Sequence, residues 1–334
     1  MLARLPHHFI SFSFVLPNVV GGGSELQLQR NDPSIGLRLR YLDMSETIPG
    51  VYRLDTPKGT DIPLVLDSPH SGSIYPETFD TTVPMNVLRR AEDMYVDDLF
   101  ADGPKLGASL ISALYPRSFI DPNRAVCDLD LSLLEDSWPE PVQPTEKARL
   151  GHGLIWRVCP PDFAMYARRL SVEEVRERID RYWMPYHQTL QRCMDETHAR
   201  FGMAWHFNCH SMPSSSLPRE PKFNSVRRAD FVLGDRDGTT CSREFLNVVG
   251  ATLKGFGYRV RINDPYKGVE IVRRHGRPDI GRNSLQIEIN RALYMNEETF
   301  ERTSYYATLK THLSDLIEVV GDYVLGWTDV KAAE

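Results

Sequence analysis

The chain has 334 residues, of which 41% are hydrophobic and 10% aromatic, enough to bury a sizeable core. Its formal net charge of -6 at pH 7 argues against nucleic acid or an anionic membrane surface as the main partner. The five cysteines are odd in number and form no CxxC pair. This usage argues against a disulfide scaffold and favours a reducing compartment, so we expect a cytoplasmic protein.

The first 45 residues differ in composition from the rest. A weakly basic start is followed by an apolar run around 9–20 and a Gly triplet, a pattern that superficially resembles a secretory signal. The run contains Ser and Pro, no A-x-A site follows it, and it is too short to span a bilayer. We therefore expect residues 1–45 to be an extension outside the fold, with Met44 as the more natural start, and a single domain over residues 46–334.

From Val51 onward, short apolar runs alternate with longer amphipathic ones. In chain order the predicted elements are strand 62–68, helix 85–100, strands 108–115, 118–121 and 153–158, helix 171–202, strands 203–209 and 230–233, helix 242–255, strands 258–262 and 284–289, and helix 297–324. The long helix opens with Ser171 and Glu174 in capping-box spacing, and Pro185 is expected to kink it. Strands that alternate with helices predict one α/β domain, with a mixed, mostly parallel sheet covered by helices on both faces.

Polar side chains follow several of these predicted strands. His70 follows the first strand, Asp121 ends a second, His210 follows a third and Glu288 lies near the end of a fourth. Because ligands of open α/β sheets bind beyond the carboxyl ends of the strands, we expect these side chains to gather at one edge. Two imidazoles, a carboxylate and an open position for water form a catalytic zinc site.

Alternation along the third strand separates its side chains into two sets. His206, Asn208 and His210 share one face, and Cys209 points to the other, where it is expected to be a small core residue. His70 and His210 are the predicted histidine ligands, and Cys209 is not expected to be one.

A series of motifs between about Ile62 and Met295 resembles the N-formylglutamate amidohydrolase family. In order, the motifs are SPHSG, EDMYVDDLF, FIDPNR, NCHSM, VLGDRDGTTC, PYKGVEIVRRHGRP and LQIEINRALYM. The family is similar in fold to the zinc carboxypeptidases and aspartoacylases. The resemblance implies an α/β hydrolase with one zinc ion per chain. It also implies hydrolysis of N-formyl-L-glutamate to formate and glutamate, a late step of histidine breakdown.

The third metal ligand is not fixed by this resemblance. In zinc carboxypeptidases a Glu follows the first His by three residues, and Ser73 occupies that position here. The nearest acids within a family motif lie in AEDMYVDDLF. We predict Asp93 as the ligand, with Glu92 and Asp97 as alternatives. Asp97 could instead orient a histidine, and the structural alternative for this segment is a solvated acidic helix face.

Glu288 lies in the otherwise apolar run LQIEI. Burial of a carboxylate is unfavourable unless the group is paired or functional. The position resembles that of the general-base Glu of carboxypeptidase-like enzymes, so Glu288 is expected to take a proton from water and return it to the leaving amino group. Arg117 is the candidate for stabilising the oxyanion. A salt bridge to an arginine is the structural alternative for Glu288.

The implied substrate carries two carboxylates, which arginine binds well with its planar guanidinium. Asn123 and Arg124 resemble the carboxylate clamp of the carboxypeptidases. Lys267, Arg274 and Arg277 lie in a Gly- and Pro-rich segment, and one of them is expected to bind the side-chain carboxylate. The alternative for this segment is a solvated charged face.

Two other functions remain open at this point. A related zinc amidohydrolase, deacylase or carboxypeptidase-like enzyme would use the same residues on another N-acyl amino acid. A non-catalytic protein could keep the fold and bind a small carboxylate, but both histidines and Glu288 are present. Iron or cobalt could replace zinc with the same ligands.

Overall fold

An eight-stranded mixed sheet lies at the centre of the structure, a computed structural model that describes residues 45–215 and 228–333. The strands are β1 (Glu46–Ile48), β2 (Tyr52–Asp55), β3 (Leu64–Ser68), β4 (Ser109–Ala113), β5 (Val158–Cys159), β6 (Phe163–Ala164), β7 (Ala204–Met212), β8 (Phe231–Gly234), β9 (Val260–Ile262) and β10 (Arg282–Asn290). β5 and β6 pair only with each other, and the remaining strands form the main sheet in the order β1-β2-β4-β3-β7-β10-β8-β9.

The four central strands of this sheet run parallel. β3 pairs in parallel with β4 and with β7, and β7 pairs in parallel with β10 over nine residues. β2 joins β4 and β8 joins β10 in antiparallel fashion. The carboxyl ends of β4, β3, β7 and β10 therefore meet at one edge, as the predicted mixed, mostly parallel sheet requires.

Helices cover both faces of the sheet. They are α1 (Met85–Leu88), α2 (Val96–Leu99), α3 (Glu146–Arg149), α4 (Val172–Arg178), α5 (Met184–Phe201), α6 (Arg243–Gly255), α7 (Glu270–His275) and α8 (Tyr306–Ala333). On one face Leu66 and Phe207 pack in a core with residues of α6 and α8, and on the other Val65 packs in a second core with residues of α5. Among the described residues no helix combines the length and apolar character needed to span a membrane.

The long predicted helix begins where it was expected, but part of it is a π-helix. Ser171 and Glu174 form the capping box at the start of α4. A π-helical segment, Ile179–Trp183, then joins α4 to α5. It ends two residues before Pro185, whose missing N–H leaves the regular hydrogen-bond ladder incomplete. The winding of the helix therefore changes just before Pro185, where the kink is expected.

Two predicted strands are wrong. Residues 118–121 form a turn, and of residues 153–158 only Val158 belongs to a strand. Ile120 and Leu154 are fully buried, and the Asp121 N–H donates to the Leu154 carbonyl at 2.8 Å. The apolar residues of both runs thus pack in the core although their backbone is irregular. A short apolar run in a sequence does not distinguish such a segment from a strand.

Two predicted helices also have different bounds. Residues 85–100 are divided into α1, a 3-10 turn at Arg89–Ala91 and α2, because Glu92 is extended and Tyr95 has a φ of 67°. The last helix begins at Tyr306 rather than at residue 297. The predicted extension, residues 1–45, lies almost entirely outside the described residues. Leu42–Glu334 group as one compact unit.

Candidate metal centre and active site

His70, Asp93 and His210 lie together in the interior of the protein. Each is at most 2% exposed. Asp93 Oδ2 is 3.0 Å from Nδ1 of His210 and 3.4 Å from Nδ1 of His70. One potential ligand atom from each residue lies within 4.8 Å of the other two. The structure thus brings together the two predicted histidines and the preferred carboxylate.

The sheet edge positions these three residues. His70 follows β3 by two residues, and its carbonyl accepts a hydrogen bond of 2.9 Å from the N–H of Asp93. His210 lies inside β7 rather than beyond it, because β7 continues to Met212 alongside β10. The expectation that His210 follows the strand was therefore wrong by a few residues, and the expectation of a common edge holds.

Each imidazole is oriented through its Nε2 atom. Nε2 of His70 lies 2.7 Å from Oδ1 of Asp121, and Nε2 of His210 lies 2.9 Å from Oδ1 of Asn208. Both rings consequently present Nδ1 to the cluster. The buried Nδ1 of His70 has no hydrogen-bond partner among the described residues.

The second oxygen of Asp93 is held by Arg291. Nη2 of Arg291 donates to Oδ1 of Asp93 at 2.9 Å, and the same guanidinium donates to Oγ of Ser211 and to the carbonyl of Arg90. This arrangement leaves Oδ2 of Asp93 facing the two histidines.

The charges of the cluster suit a cation. Burial raises the pKa of Asp93, but the hydrogen bond with His210 and the interactions with the charges of His70 and His210 outweigh burial and hold the pKa well below its ordinary value. Burial and the nearby His70 lower the pKa of His210, which favours the neutral imidazole. Neutral imidazoles and a carboxylate are the forms that ligate zinc, so the three residues fit a metal ion through Nδ1, Oδ2 and Nδ1.

Glu288 lies on β10 directly opposite His210 in the parallel pair. It is 8% exposed, and Nε2 of Gln286 donates to its Oε1 at 3.0 Å. No ion pair of Glu288 occurs among the described residues, so the salt-bridge alternative is not observed there. Burial and the charge of Asp93 raise the pKa of Glu288 well above its ordinary value, and Arg117 offsets part of this increase. Such a carboxyl group is suited to taking up and returning a proton.

Arg117 borders the cluster but is anchored to one of its supports. Its Nε and Nη2 atoms donate to Oδ2 of Asp121 at 3.2 and 2.9 Å, and the guanidinium lies over the ring of Trp156. Its Nη1 makes no hydrogen bond within the part of the chain that the structure describes. Arg117 therefore keeps one nitrogen available beside the site.

Of the predicted carboxylate clamp, only Asn123 reaches the cluster. Its Nδ2 is 3.0 Å from Nε2 of His210, and its Oδ1 accepts from the N–H of Ile271 at 3.0 Å. Arg124 is buried and donates to the carbonyls of Asn123 and His152. These contacts account for Arg124 as a structural residue of its loop.

The three cations predicted for the side-chain carboxylate have other partners. Lys267 pairs with Asp237, Arg277 pairs with Asp279, and Arg274 pairs with Glu270 and lies over a tryptophan ring. In residues 45–215 and 228–333, no hydrogen bond or ion pair joins any of the three to the cluster or to Glu288. The structure therefore does not bring these three cations to the cluster, and their binding of a substrate carboxylate stays a prediction.

The alternative acids also lie outside the cluster. Oε1 of Glu92 accepts a hydrogen bond of 2.6 Å from the hydroxyl of Tyr75. The N–H of Asp97 donates to Oγ of Ser71. The contact with a histidine that was predicted for Asp97 is made by Asp121 instead, at Nε2 of His70.

Three contacts around the cluster were not predicted. Arg291, Asn208 and Gln286 hold Asp93, His210 and Glu288, respectively. The alternation that placed Asn208 on the face of His210 was the available signal for one of them. Arg291 immediately follows the last strand of the predicted edge, which was a second signal.

Two imidazoles and a carboxylate gathered at one edge of the parallel central strands, beside a buried glutamate, are typical of a hydrolytic enzyme of the α/β class. Comparisons with known proteins agree. The model of the N-formylglutamate amidohydrolase family matches residues 62–295. The chain belongs to the N-formylglutamate amidohydrolase family, which confirms the resemblance of the motifs and makes the protein an enzyme that hydrolyses an amide bond.

Several relatives cover most of the chain. The crystal structure of an N-formylglutamate amidohydrolase from Ralstonia eutropha JMP134 is 47% identical with a TM-score of 0.80, and the match covers 82% of this chain and 98% of that one. An N-formylglutamate deformylase from Pseudomonas aeruginosa is 25% identical over 272 residues, 80% of this chain and 94% of the relative. A second deformylase, from Pseudomonas putida, is 28% identical over 238 residues, which are 71% of this chain and 83% of the relative.

Proposed function

We propose that the protein hydrolyses the formamide bond of N-formyl-L-glutamate to formate and L-glutamate. We further propose that His70, Asp93 and His210 hold a divalent metal ion, with zinc as the first candidate. Family membership supports the reaction. The observation that carries the metal is the buried cluster itself, in which Nδ1 of His70 lacks a hydrogen-bond partner among the described residues.

A metal ion bound at this cluster would act as a Lewis acid toward a carbonyl oxygen and lower the pKa of a water molecule. Glu288 then accepts a proton from the water whose oxygen bonds to the formyl carbon. As the bond between that carbon and nitrogen breaks, Glu288 returns the proton to the departing amino nitrogen. The position of Glu288 on β10, opposite His210 in the parallel pair, supports this role.

Arg117 and Asn123 are the proposed contacts to the substrate. Nη1 of Arg117 is available for the developing oxyanion or for a substrate carboxylate. Nδ2 of Asn123 points at His210 and retains a second N–H. Arg124, Lys267, Arg274 and Arg277 are left out of the proposed substrate site because their contacts lie elsewhere.

For the cellular setting we propose histidine breakdown in the cytoplasm. The proposed substrate supports the pathway, and the cysteines support the compartment. All five are free, and four of them are buried.

Release of formate from N-formyl-L-glutamate tests the proposal. The purified protein is assayed as isolated, after chelation and after zinc is added back, and its metal content is measured by elemental analysis. We expect turnover that falls on chelation and returns with zinc. N-acetyl-L-glutamate and N-formyl-L-methionine serve as comparison substrates, and for them release of the free amino acid is measured, because hydrolysis of the acetyl compound gives acetate instead of formate.

Each result is decisive for one part of the proposal. Formate release that persists in protein free of metal would refute the metal site but leave the reaction. A zinc-containing protein that cleaves N-acetyl-L-glutamate and leaves N-formyl-L-glutamate intact would refute the substrate.

A further inference from the structure

We infer that Asn208 is a positioning residue that fixes the tautomer of His210, and that the buried carboxylate of Asp67 orients the Asn208 amide for this task. This inference rests on the metal centre of the proposed function. It assigns a task to a group of buried polar residues that the reaction itself does not use.

These residues form a polar row across the sheet beneath the metal centre. β3, β7 and β10 place Asp67, Asn208 and Gln286 in register. All three are at most 2% exposed. Along β7, His210 lies two residues beyond Asn208 on the same face, so the row directly supports the cluster.

Asp67 determines which end of the Asn208 amide faces His210. Nδ2 of Asn208 donates to Oδ1 of Asp67 at 2.8 Å. The same carboxylate accepts from the hydroxyl of Tyr186 at 2.7 Å and lies 2.9 Å from Nε2 of His206. These hydrogen bonds outweigh the effect of burial and lower the pKa of Asp67, so the group is an acceptor only. The amide nitrogen must therefore face Asp67, and the amide oxygen must face His210.

The orientation of Asn208 in turn determines where His210 carries its proton. Oδ1 of Asn208 lies 2.9 Å from Nε2 of His210, and an amide oxygen can only accept. Nε2 must then carry the hydrogen, which leaves the lone pair of Nδ1 directed at the cluster. This is the tautomer that a metal ligand through Nδ1 requires.

Two other neighbours of His210 favour the opposite tautomer. Oδ1 of Asn123 is taken by the N–H of Ile271, so its amide nitrogen faces Nε2 of His210 at 3.0 Å. Asp93 lies 3.0 Å from Nδ1 and would accept a hydrogen from it. In that tautomer the hydrogen on Nδ1 of His210 would bond to Oδ2 of Asp93, and neither atom would be free to bind a metal ion. Asn208 opposes this tautomer from within the polar row.

Asn208→Leu tests the inference, because leucine is similar in size and offers no acceptor. The zinc dissociation constant of the apo protein is measured by competition with a chromophoric chelator. We expect affinity to fall by roughly 10- to 100-fold, the usual effect of removing such a support. Nitrogen-15 NMR of histidine-labelled protein should show His210 moving from the Nε2–H to the Nδ1–H tautomer.

Two further variants separate positioning from packing. Cys209→Ala perturbs the adjacent, fully buried residue on the other face of β7 and should leave zinc affinity within about threefold. Adding Asn123→Ala to Asn208→Leu removes the donor that stabilises the wrong tautomer and should restore part of the affinity. If Asn208→Leu does not fold, Asp67→Asn tests the same point. A neutral amide at position 67 can donate as well as accept, so the Asn208 amide can turn its nitrogen toward His210.

The outcomes are distinct. Equal zinc affinity of Asn208→Leu and the unaltered protein would overturn the inference and leave the metal centre in place. Equal losses in Asn208→Leu and Cys209→Ala would assign the effect to packing and overturn it as well. An unaltered protein that binds no zinc would refute the metal centre of the proposed function itself.

Discussion

Replacement of Arg291 by methionine should destabilise the protein, and the size of the loss can be worked from its contacts. The side chain is buried and makes one hydrogen bond to the ionised Asp93 and two to neutral acceptors, Ser211 and the Arg90 carbonyl. A hydrogen bond to a charged group contributes about 2 kcal/mol and a neutral one about 1 kcal/mol. The sum of about 4 kcal/mol agrees with the roughly 3–5 kcal/mol lost when one partner of a buried ion pair is removed.

Urea unfolding with and without zinc measures this loss. In apo protein the free energy of unfolding should fall by about 4 kcal/mol. With zinc the loss should shrink to about 2 kcal/mol, because a bound cation compensates the charge of Asp93 in place of Arg291.

Arg178→Met is the matched control. Arg178 is also a buried arginine, but it donates to the Phe119 carbonyl and to the Tyr166 hydroxyl and has no carboxylate partner among the described residues. Its loss of stability should be the same with and without zinc. A loss below about 1 kcal/mol for apo Arg291→Met, or one that zinc leaves unchanged, would refute this account of Arg291.

Three further predictions concern the reaction, the response to pH and the surface cations. Glu288→Gln should lower kcat by roughly 100- to 10,000-fold while zinc content stays unchanged, and loss of the metal instead would assign Glu288 to the ligand set. Burial lowers the pKa of His187 to about 3, and the ring donates to the Pro122 carbonyl. Because the folded pKa lies below the unfolded value of 6.5, the stability from the neutral ring is complete above pH 6.5 and is lost as pH falls toward 3. Between pH 7 and pH 5 this group should lower the free energy of unfolding by about 2 kcal/mol. In urea unfolding of His187→Gln at the same two pH values, this loss of about 2 kcal/mol should be absent. Lys267→Met and Arg277→Met should leave kcat/KM within about twofold and stability within about 0.5 kcal/mol, and a large rise in KM for either would return that residue to the substrate site.

The sequence located the centre of the site better than its surroundings. His70, His210 and Glu288 could be placed because parallel strands bring their carboxyl ends to one edge, whatever the details of the loops. Asp93 required the family motif in addition, since it lies on an irregular segment between short helical turns. Strand alternation predicted that Asn208 shares a face with His210.

Contacts between distant segments were the part that local patterns did not predict. Asp67 and Asn208 are 141 residues apart, and their pairing depends on the register of β3 against β7. The sequence also does not reveal that Asp237 and Asp279 are the ion-pair partners of Lys267 and Arg277, because a charged residue carries no sign of its partner. Residues 118–121 looked like a strand because apolar content reports burial, and irregular backbone can be buried as well.

The nine-residue parallel ladder between β7 and β10 has a consequence for how this enzyme can change. His210 and Glu288 are opposite residues in that ladder, so backbone hydrogen bonds fix the spacing of the proposed metal ligand and the proposed proton carrier. A one-residue slip of either strand would turn its functional side chain to the other face of the sheet. Substitutions in the loops beyond the strands can therefore leave the spacing of His210 and Glu288 unchanged. Strand pairing holds only this part of the cluster, because His70 and Asp93 lie on the segments that connect the strands and short helices, and changes there must keep those two positions.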